Sequence, residues 1–299
     1  MKNLAESLNG PENHEIFSEI KLHFFRHGEQ FKDPTKSDPE YELSETGRKQ
    51  GMEKAQAIKE KPNLRQTMVY GSPRKRSQQT AAFAMAGEAL DDIVGDESLQ
   101  ELKAKLDRDI SYGSKVMSDS RLDFFMDKNT PFGKVAFDAF AVKKQYLKFL
   151  AEDSDRLAEE LHDEKGSTYS RQARGVAEIV KKYLGVSNRW TELVQSGKYQ
   201  DPKLERFLGS HGGVTESFLL KIVEKTKGVA ERDRWISLMP NGFDFTEGFD
   251  ITIVNQGEGK EPVLRVSYKK MDEKEPENNF EFDEDVPLAV IEEIADASK

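Results

Sequence analysis

The stretch Leu22-His23-Phe24-Phe25-Arg26-His27-Gly28-Glu29 decides how the rest of this sequence is interpreted. An apolar run ends abruptly in Arg-His-Gly, which is typical of a buried parallel strand covered on both faces. In open α/β sheets, ligands bind in the crevice outside the carboxyl ends of the strands. The stretch therefore predicts that a guanidinium, an imidazole and a glycine are delivered to such a crevice. A three-residue match occurs by chance, so its meaning depends on residues further along the chain.

Composition excludes several classes of protein. The 299 residues are 36% hydrophobic and 33% charged, with no cysteine and a formal net charge of −10. This length predicts one large domain, or one domain with an insertion. The lack of cysteine excludes a disulfide framework, thiolate zinc sites and cysteine catalysis. The negative charge argues against a nucleic-acid-binding surface.

The sequence carries no signal for a membrane or for secretion. Residues 1–19 contain no apolar core segment, and no stretch approaches the roughly 20 apolar residues of a membrane span. We therefore expect a cytoplasmic protein that does not associate with membranes. Residues 1–19 are expected to be a peripheral N-terminal lead-in.

Two further predicted strands also end in a glycine-containing turn with a basic residue or a histidine. A strand at 67–70 runs into a Gly-Ser-Pro turn and a helix with Arg76 near its start, to about residue 90. A second apolar strand ends in Ser210-His211-Gly212 and is followed by a helix from Val214. If these strands are parallel neighbours, two imidazoles and two guanidiniums converge on one crevice. Such a cluster favours a bound dianion, because guanidinium groups bind phosphate oxygens in a bidentate fork.

The remaining pattern predicts a single domain over 20–270, with a change of character at 102–166. There, charges alternate with aromatic residues, and we expect a helical cap whose aromatics form a small core of its own. Residues 271–299 are predicted to be an acidic C-terminal tail, solvated over 271–285 and ending in a short helix. The other predicted elements are a helix capped by Ser44, a third strand within 91–101, a helix from Ser167 that Gly185 ends, and a hairpin of 243–254 with 262–268.

Four segments, in order, resemble the histidine phosphatase superfamily, the phosphoglycerate-mutase-like proteins. They are Phe25–Glu29, Leu43–Gly47 with Gln50, Ser72–Ala81, and Ser210–Gly212. The resemblance covers about 20–101 and 167–254. It implies an α/β fold, a three-layer α-β-α sandwich around a mostly parallel sheet, with 102–166 as a helical cap insertion.

The resemblance also implies a role for each matching residue. His27 would be the nucleophile that forms a phosphohistidine, while Arg26, Arg76 and His211 would hold the phosphoryl oxygens. Gly28 has no Cβ, so the backbone there can approach the phosphoryl group.

A carboxylate should protonate the leaving oxygen and then activate water. The family places this acid after the third strand in a Leu-x-Glu context, which Leu99-Gln100-Glu101 fits, and Glu97 is the alternative to Glu101. The family's other branch has an aspartate directly after the second histidine, and Gly212 at that position disfavours it.

The implied activity is hydrolysis of a phosphomonoester. Mutases of the family carry Trp-Asn shortly after the first glycine, and residues 29–33 contain neither residue. This favours a phosphatase, with a phosphoryl mutase and an inactive, phosphate-binding or partner-binding relative as the alternatives. We expect no metal and no cofactor, and a small phosphorylated molecule as substrate, with a phosphoprotein as the alternative. The sequence predicts no oligomeric state.

Overall fold

Four parallel strands form one half of a seven-stranded mixed sheet. The computed structural model describes residues 18–58, 61–87, 89–108, 113–257, 260–271 and 279–297. The sheet order is β3-β2-β4-β1-β5-β6-β7, and β5 to β7 are antiparallel. The strands are β1 Ser18–Arg26, β2 Met68–Gly71, β3 Val116–Ser118, β4 Lys203–Ser210, β5 Gly248–Asn255, β6 Val263–Lys270 and β7 Phe280–Asp285.

Ten α-helices flank this sheet in the described part of the chain. They are α1 Glu45–Ala57, α2 Lys75–Ala86, α3 Leu99–Leu106, α4 Pro131–Phe137, α5 Tyr146–Phe149, α6 Asp155–Glu160, α7 Tyr169–Gln195, α8 Val214–Lys227, α9 Val229–Leu238 and α10 Leu288–Asp296. Short 3₁₀ turns cover Asp38–Glu40 and Ser120–Leu122, and π-helical turns cover Asp138–Val142 and Leu150–Ser154. Not one of the described helices is both long and apolar enough to cross a membrane.

The sheet is covered on both faces, as the apolar run in β1 predicts. Phe24 and Phe25 are both buried, but Phe24 belongs to a core with α7 and α8, and Phe25 to a core with α2 and α3. Successive side chains of a strand point to opposite faces of the sheet, so these two cores are separate layers. The predicted three-layer α/β fold with helices in the insertion is therefore confirmed.

The register of the central strands brings the predicted junctions to one edge. Arg26 at the end of β1 is aligned with Ser210 at the end of β4, and Gly71 of β2 with Gly209. The backbone N–H of His27 donates to the carbonyl of Ser210 at 2.9 Å. The segments after β1, β2 and β4 therefore leave the sheet side by side.

The third strand was predicted in the wrong place. Ser98 and Glu101 form a capping box that begins α3 at Leu99, so residues 99–101 are helical, and residues 91–98 contain no strand. The third parallel strand is β3, which pairs with β2 through Val69 and Val116. The sequence predicted Glu101 and its alternative Glu97 to lie after the third strand, and in the structure neither residue follows that strand.

The helix predicted to end at Gly185 continues to Gln195. A glycine inside a helix costs about 1 kcal/mol relative to alanine. Here Tyr183, Ser187 and Trp190 are buried on one face of α7, on both sides of the glycine. Packing of that face outweighs the local preference.

The predicted solvated tail contributes to the fold. Phe280 and Phe282 of β7 are buried against Trp235, while Glu281 and Asp283 point to solvent. The alternation of acidic and aromatic residues is thus the pattern of an edge strand. Residues 272–278, and 1–17 of the predicted lead-in, lie outside the described residues.

The cap aromatics divide between two environments. Phe132, Tyr146 and Phe149 pack into the same core as α7 and α8 rather than into a separate one. Phe137 and Phe140 face a cleft at the edge of the sheet.

Candidate active site

Four predicted groups meet at the carboxyl edge of the parallel strands. Arg26, His27, Arg76 and His211 all line one cleft of about 740 Å³. The imidazole rings of His27 and His211 lie edge to face, with their centroids 5.0 Å apart. The convergence predicted from the three junctions is therefore present in the structure.

The hydrogen bonds of His27 leave its Nε2 without a proton. Nδ1 lies 2.6 Å from the carbonyl oxygen of Gly28, which can only accept, so Nδ1 carries the proton. Nε2 accepts from Nε of Arg76 at 3.2 Å. Burial, followed by the charge of Arg76, lowers the pKa of His27 to about 3. His27 is thus a neutral imidazole whose lone pair faces the arginine and the cleft.

His211 lies in the wall of the cleft, is almost fully buried, and is hydrogen-bonded through Nε2. Its Nε2 lies 2.7 Å from Oγ of Ser72 and 3.5 Å from Oδ1 of Asp123. Its Nδ1 is buried and has no hydrogen-bond partner among the described residues, and the same holds for Nε of Arg26. Burial and the neighbouring His27 and arginines keep the pKa of His211 well below its usual value. Because buried polar atoms are normally paired, these two atoms fit a ligand rich in acceptor oxygens.

Gly28 contacts protein rather than the open cleft. A Cβ on Gly28 would lie 2.7 Å from the carbonyl oxygen of Gly47, at the start of α1. The adjacent N–H of Glu29 donates to Oε1 of Gln50, and Ser44 caps α1. The structure therefore gives Gly28 a packing role: it lets the loop after His27 dock on the segment 43–50.

Helix α2 carries Arg76 and also fixes the loop around His27. Thr80 accepts from the N–H of Gly28 at 3.0 Å, and Gln79 bridges the N–H of Leu43 and the carbonyl of Glu97. Burial, and then the charge of Arg74, lowers the pKa of Arg76 to about 9, so Arg76 remains charged at neutral pH. The residues of the segment 72–81 thus fix the loop around His27 and also place Arg76 in the cleft.

The structure does not bring Glu101 to the cleft. Its exposed carboxylate accepts from the N–H and Oγ of Ser98 in the capping box. The alternative, Glu97, is buried beneath Val94 and Lys105 and does not line the cleft either. The Leu-x-Glu match lies on a helix start rather than at the end of a strand.

Asp123 occupies the place that the sequence assigned to Glu101. It follows β3, and its Oδ1 lies 2.7 Å from Nε of Arg74 and 3.5 Å from Nε2 of His211. It borders a second groove that shares Arg74 and Phe124 with the cleft. In the sequence, Asp123 is marked only by its position shortly after β3. Because the third strand was predicted within 91–101, Asp123 was not among the candidate residues.

Two more residues gain a role that the sequence did not give them. Arg74, which reads as surface charge, lines the cleft and forms ion pairs with Asp38 and Asp123. Glu216 is fully buried and accepts from the N–H groups of Gly213 and Phe243 at 2.9 and 2.8 Å. The carbonyl of Phe243 in turn accepts from Arg26. Glu216 therefore ties the turn after His211 to the segment that holds Arg26.

A known protein family matches the part of the chain that contains Arg26, His27 and Arg76. Residues 22–109 match the family profile "Histidine phosphatase superfamily (branch 1)". No match was found among curated proteins.

Several solved structures are similar over most of the chain. A mycobacterial glucosyl-3-phosphoglycerate phosphatase is 17% identical, with 83% of this chain and 97% of the other covered and a TM-score of 0.42. A phosphoglycerate mutase from Bacillus anthracis str. Sterne is 12% identical, with 93% of this chain and 97% of the other covered and a TM-score of 0.45. A mutant phosphoserine phosphatase from Entamoeba histolytica is 18% identical, with 82% of this chain and 94% of the other covered and a TM-score of 0.38. The family resemblance inferred from the four motifs is confirmed over residues 22–109, where the chain matches branch 1 of the histidine phosphatase superfamily.

Proposed function

We propose that this protein hydrolyses a phosphomonoester through a phosphohistidine on His27. The observation that carries the proposal is the neutral, buried imidazole of His27, whose Nε2 carries no proton and faces Arg76 in the cleft. Action on a small-molecule ester in the cytoplasm is part of the same proposal.

In the first step, Nε–H of Arg76 turns from Nε2 of His27 to a phosphoryl oxygen, and the freed lone pair of Nε2 attacks phosphorus as the bond between phosphorus and the leaving oxygen breaks. Arg26 and Arg76 stabilise the charge on the equatorial oxygens. Ser72 can donate to Nε2 of His211, which leaves the proton of His211 on Nδ1 to donate to a phosphoryl oxygen. In the second step, water attacks the phosphohistidine, the P–N bond breaks, and inorganic phosphate is released.

We place the proton donor for the leaving oxygen at Asp123 rather than at Glu101. Asp123 contacts His211 and follows the third parallel strand, whereas the carboxylate of Glu101 is occupied by Ser98 on the surface. In the second step the Asp123 carboxylate would take a proton from the attacking water. Asp123 borders the adjoining groove and pairs with Arg74, so the proposal requires this pair to open toward the cleft when the ester binds. Glu29 and Asp38 line the cleft itself, but Glu29 bonds Ser44, and Asp38 pairs with both Arg74 and Arg76.

The test is to trap the intermediate. We expect wild-type protein, quenched during turnover of p-nitrophenyl phosphate, to carry phosphate that is stable in alkali and labile in acid, and the His27→Ala variant to carry none. Normal turnover by His27→Ala would overturn the proposal. Transfer of the phosphoryl group to a second acceptor instead of release as inorganic phosphate would identify a mutase. Phosphate binding without turnover of any ester would identify an inactive relative.

A further inference from the structure

The cleft is far larger than a phosphoryl group requires. Its volume of about 740 Å³ falls in the range of roughly 300–1,000 Å³ that encloses complete small-molecule ligands. Beyond the proposed phosphate-binding groups, its walls come from the loop 29–41, from the cap and, at Phe245, from the segment before β5. The apolar and aromatic residues of these walls are Tyr41, Phe124, Met126, Phe137, Phe140, Tyr146 and Phe245.

Two of these rings stand beside the reacting groups. The ring of Phe245 lies 6.0 Å from that of His27 and 4.8 Å from the guanidinium of Arg26. The ring of Phe124 lies 5.0 Å from that of His211 and 4.3 Å from the guanidinium of Arg74. An ester whose phosphorus contacts both histidines therefore has an aromatic ring beside each of them. Flat apolar groups pack well on such rings, whereas a small polyol would leave them facing water.

The cleft also holds more positive charge than one phosphoryl group needs. Its lining includes five cationic side chains and two carboxylates, in a chain with a net charge of −10. The cations are Arg26, Lys32, Arg74, Arg76 and Lys128, and the carboxylates are Glu29 and Asp38. Within the described residues, neither Lys32 nor Lys128 forms an ion pair, and the ammonium of Lys128 lies 3.6 Å from the ring centre of Phe137. A free cation against an aromatic wall suits a ligand that is both aromatic and acidic.

We infer that the substrate is a phosphate monoester whose alcohol carries an aromatic ring system and a further acidic group. This inference rests on the proposed phosphatase activity. The phosphoryl group would bind His27, His211 and the arginines. The ring system would pack on Phe124, Phe137, Phe140 and Phe245, and the acidic group would meet Lys128, whose ammonium already lies against Phe137.

Three esters with alkoxide leaving groups test this class without a difference in intrinsic reactivity. They are glycerol 3-phosphate, 2-naphthylmethyl phosphate and 6-carboxy-2-naphthylmethyl phosphate. We expect kcat/KM to rise about tenfold from the first to the second. We expect a further two- to fivefold rise, about what a solvent-accessible ion pair supplies, for the third, and this last gain should shrink in high salt.

Matched variants assign the two preferences to the cap. Phe140→Ala should lower the naphthylmethyl preference, whereas Phe125→Ala should not, because Phe125 is equally exposed in the same insertion but does not line the cleft. Lys128→Gln should remove the carboxylate preference, whereas Lys134→Gln, on α4 outside the cleft, should retain it.

Every outcome decides for or against the inference. If glycerol 3-phosphate is the best substrate, or if Phe140→Ala and Lys128→Gln change neither preference, the substrate class is wrong and the phosphatase proposal stands. If no ester turns over, the phosphatase proposal fails. Fluorescence titration of 2-naphthylmethyl phosphate then decides the class: tight binding weakened by Phe140→Ala supports it, and no binding overturns it.

Discussion

The segment from β1 into its loop carries two buried histidines with opposite surroundings. His23, in the middle of the strand, lies 2.8 Å from a carboxylate oxygen of Asp250 and 3.5 Å from one of Glu205. Burial lowers its pKa, but the charge and hydrogen bonds of Asp250 and Glu205 outweigh this and raise the pKa overall. For His27, burial and the arginines act together and lower the pKa. One histidine is poised to be charged and the other to be neutral.

Position along the strand explains the difference. His23 is enclosed by the neighbouring strands, since β4 supplies Glu205 and Phe207, and β5 supplies Asp250. His27 lies just beyond the last paired residue, where the loops from other strand ends supply arginines and leave one side of the ring open. In a parallel sheet, only the strand end gives a histidine access to a ligand. The same side chain therefore serves stability at one position and, in the proposed mechanism, chemistry at the other.

The largest expected effect comes from exchanging each histidine for glutamine. His27→Gln removes the nucleophile, so kcat for p-nitrophenyl phosphate should fall by about 10³-fold or more. His23→Gln leaves the cleft intact and should retain kcat within about threefold at a temperature where the variant is folded. Steady-state kinetics with circular dichroism as a folding control measure both. Comparable loss in two folded variants would remove the functional distinction between the histidines.

The second effect concerns the proton donor. Asp123→Asn should lower kcat by about 10²- to 10³-fold for an alkyl phosphate, the usual contribution of general acid catalysis. The loss should be smaller for p-nitrophenyl phosphate, whose leaving oxygen needs little protonation.

Glu101→Gln is the competing variant for that role. If it shows the leaving-group-dependent loss and Asp123→Asn does not, the assignment made from the sequence is right and the one made from the structure is wrong. If Asp123→Asn slows both esters equally, Asp123 acts by holding Arg74 and His211.

A comparison of β3 with the other parallel strands shows which strands could be predicted from the sequence. The ends of β1, β2 and β4 were predictable, because each apolar run stops at a glycine-containing turn that starts a loop or helix. β3 has three residues, of which Met117 and Ser118 are exposed, so it shows neither an apolar run nor alternation. Only its pairing with β2 makes it a strand, and that pairing is long-range. Asp123 could not be found without it.

Glu216 likewise makes contacts that the local sequence does not predict. Its position is that of an ordinary residue in the first turn of a helix, and its neighbours in sequence explain only its bonds to Gly213 and Thr215. Its link to Phe243, and through Phe243 to Arg26, joins segments that are distant in the chain. Side chains that position a site from a distance leave no local pattern in a sequence.

The third effect is on stability, where the two histidines should differ in sign with pH. His23→Gln loses charged hydrogen bonds and should lower the free energy of unfolding by about 1–3 kcal/mol near pH 6. Because the folded-state pKa of His23 is raised, its contribution is full below its unfolded value of 6.5 and is lost as the pH rises through the folded value. The gap between wild type and His23→Gln should therefore narrow in alkaline solution.

For His27 the sign reverses. Its pKa is lowered, so the unfolded chain binds a proton between pH 6.5 and about 3 that the folded protein does not, and wild-type stability falls as the pH falls through this window. His27→Gln removes this penalty and should gain stability relative to wild type in acid. Urea titrations of both variants at pH 4.5, 6 and 8.5 measure the trends. Parallel trends would show that the neighbouring charges do not set the two pKa values.

The smallest effect is on the acid limb of the rate profile. A histidine with an ordinary pKa of 6.5 would lose about 16-fold of its neutral form between pH 6.5 and 5. His27, with its pKa lowered to about 3, stays neutral over that range. Once the second ionisation of p-nitrophenyl phosphate, measured separately by phosphorus NMR, has been divided out, its kcat/KM should change by less than about twofold between these pH values, because its leaving oxygen needs little protonation by Asp123. A residual limb near pH 6.5 would mean that the arginines do not hold His27 neutral in the free enzyme. In that case the two histidines would not differ in charge below pH 6.5, because a bound phosphate dianion would raise the pKa of His27 further.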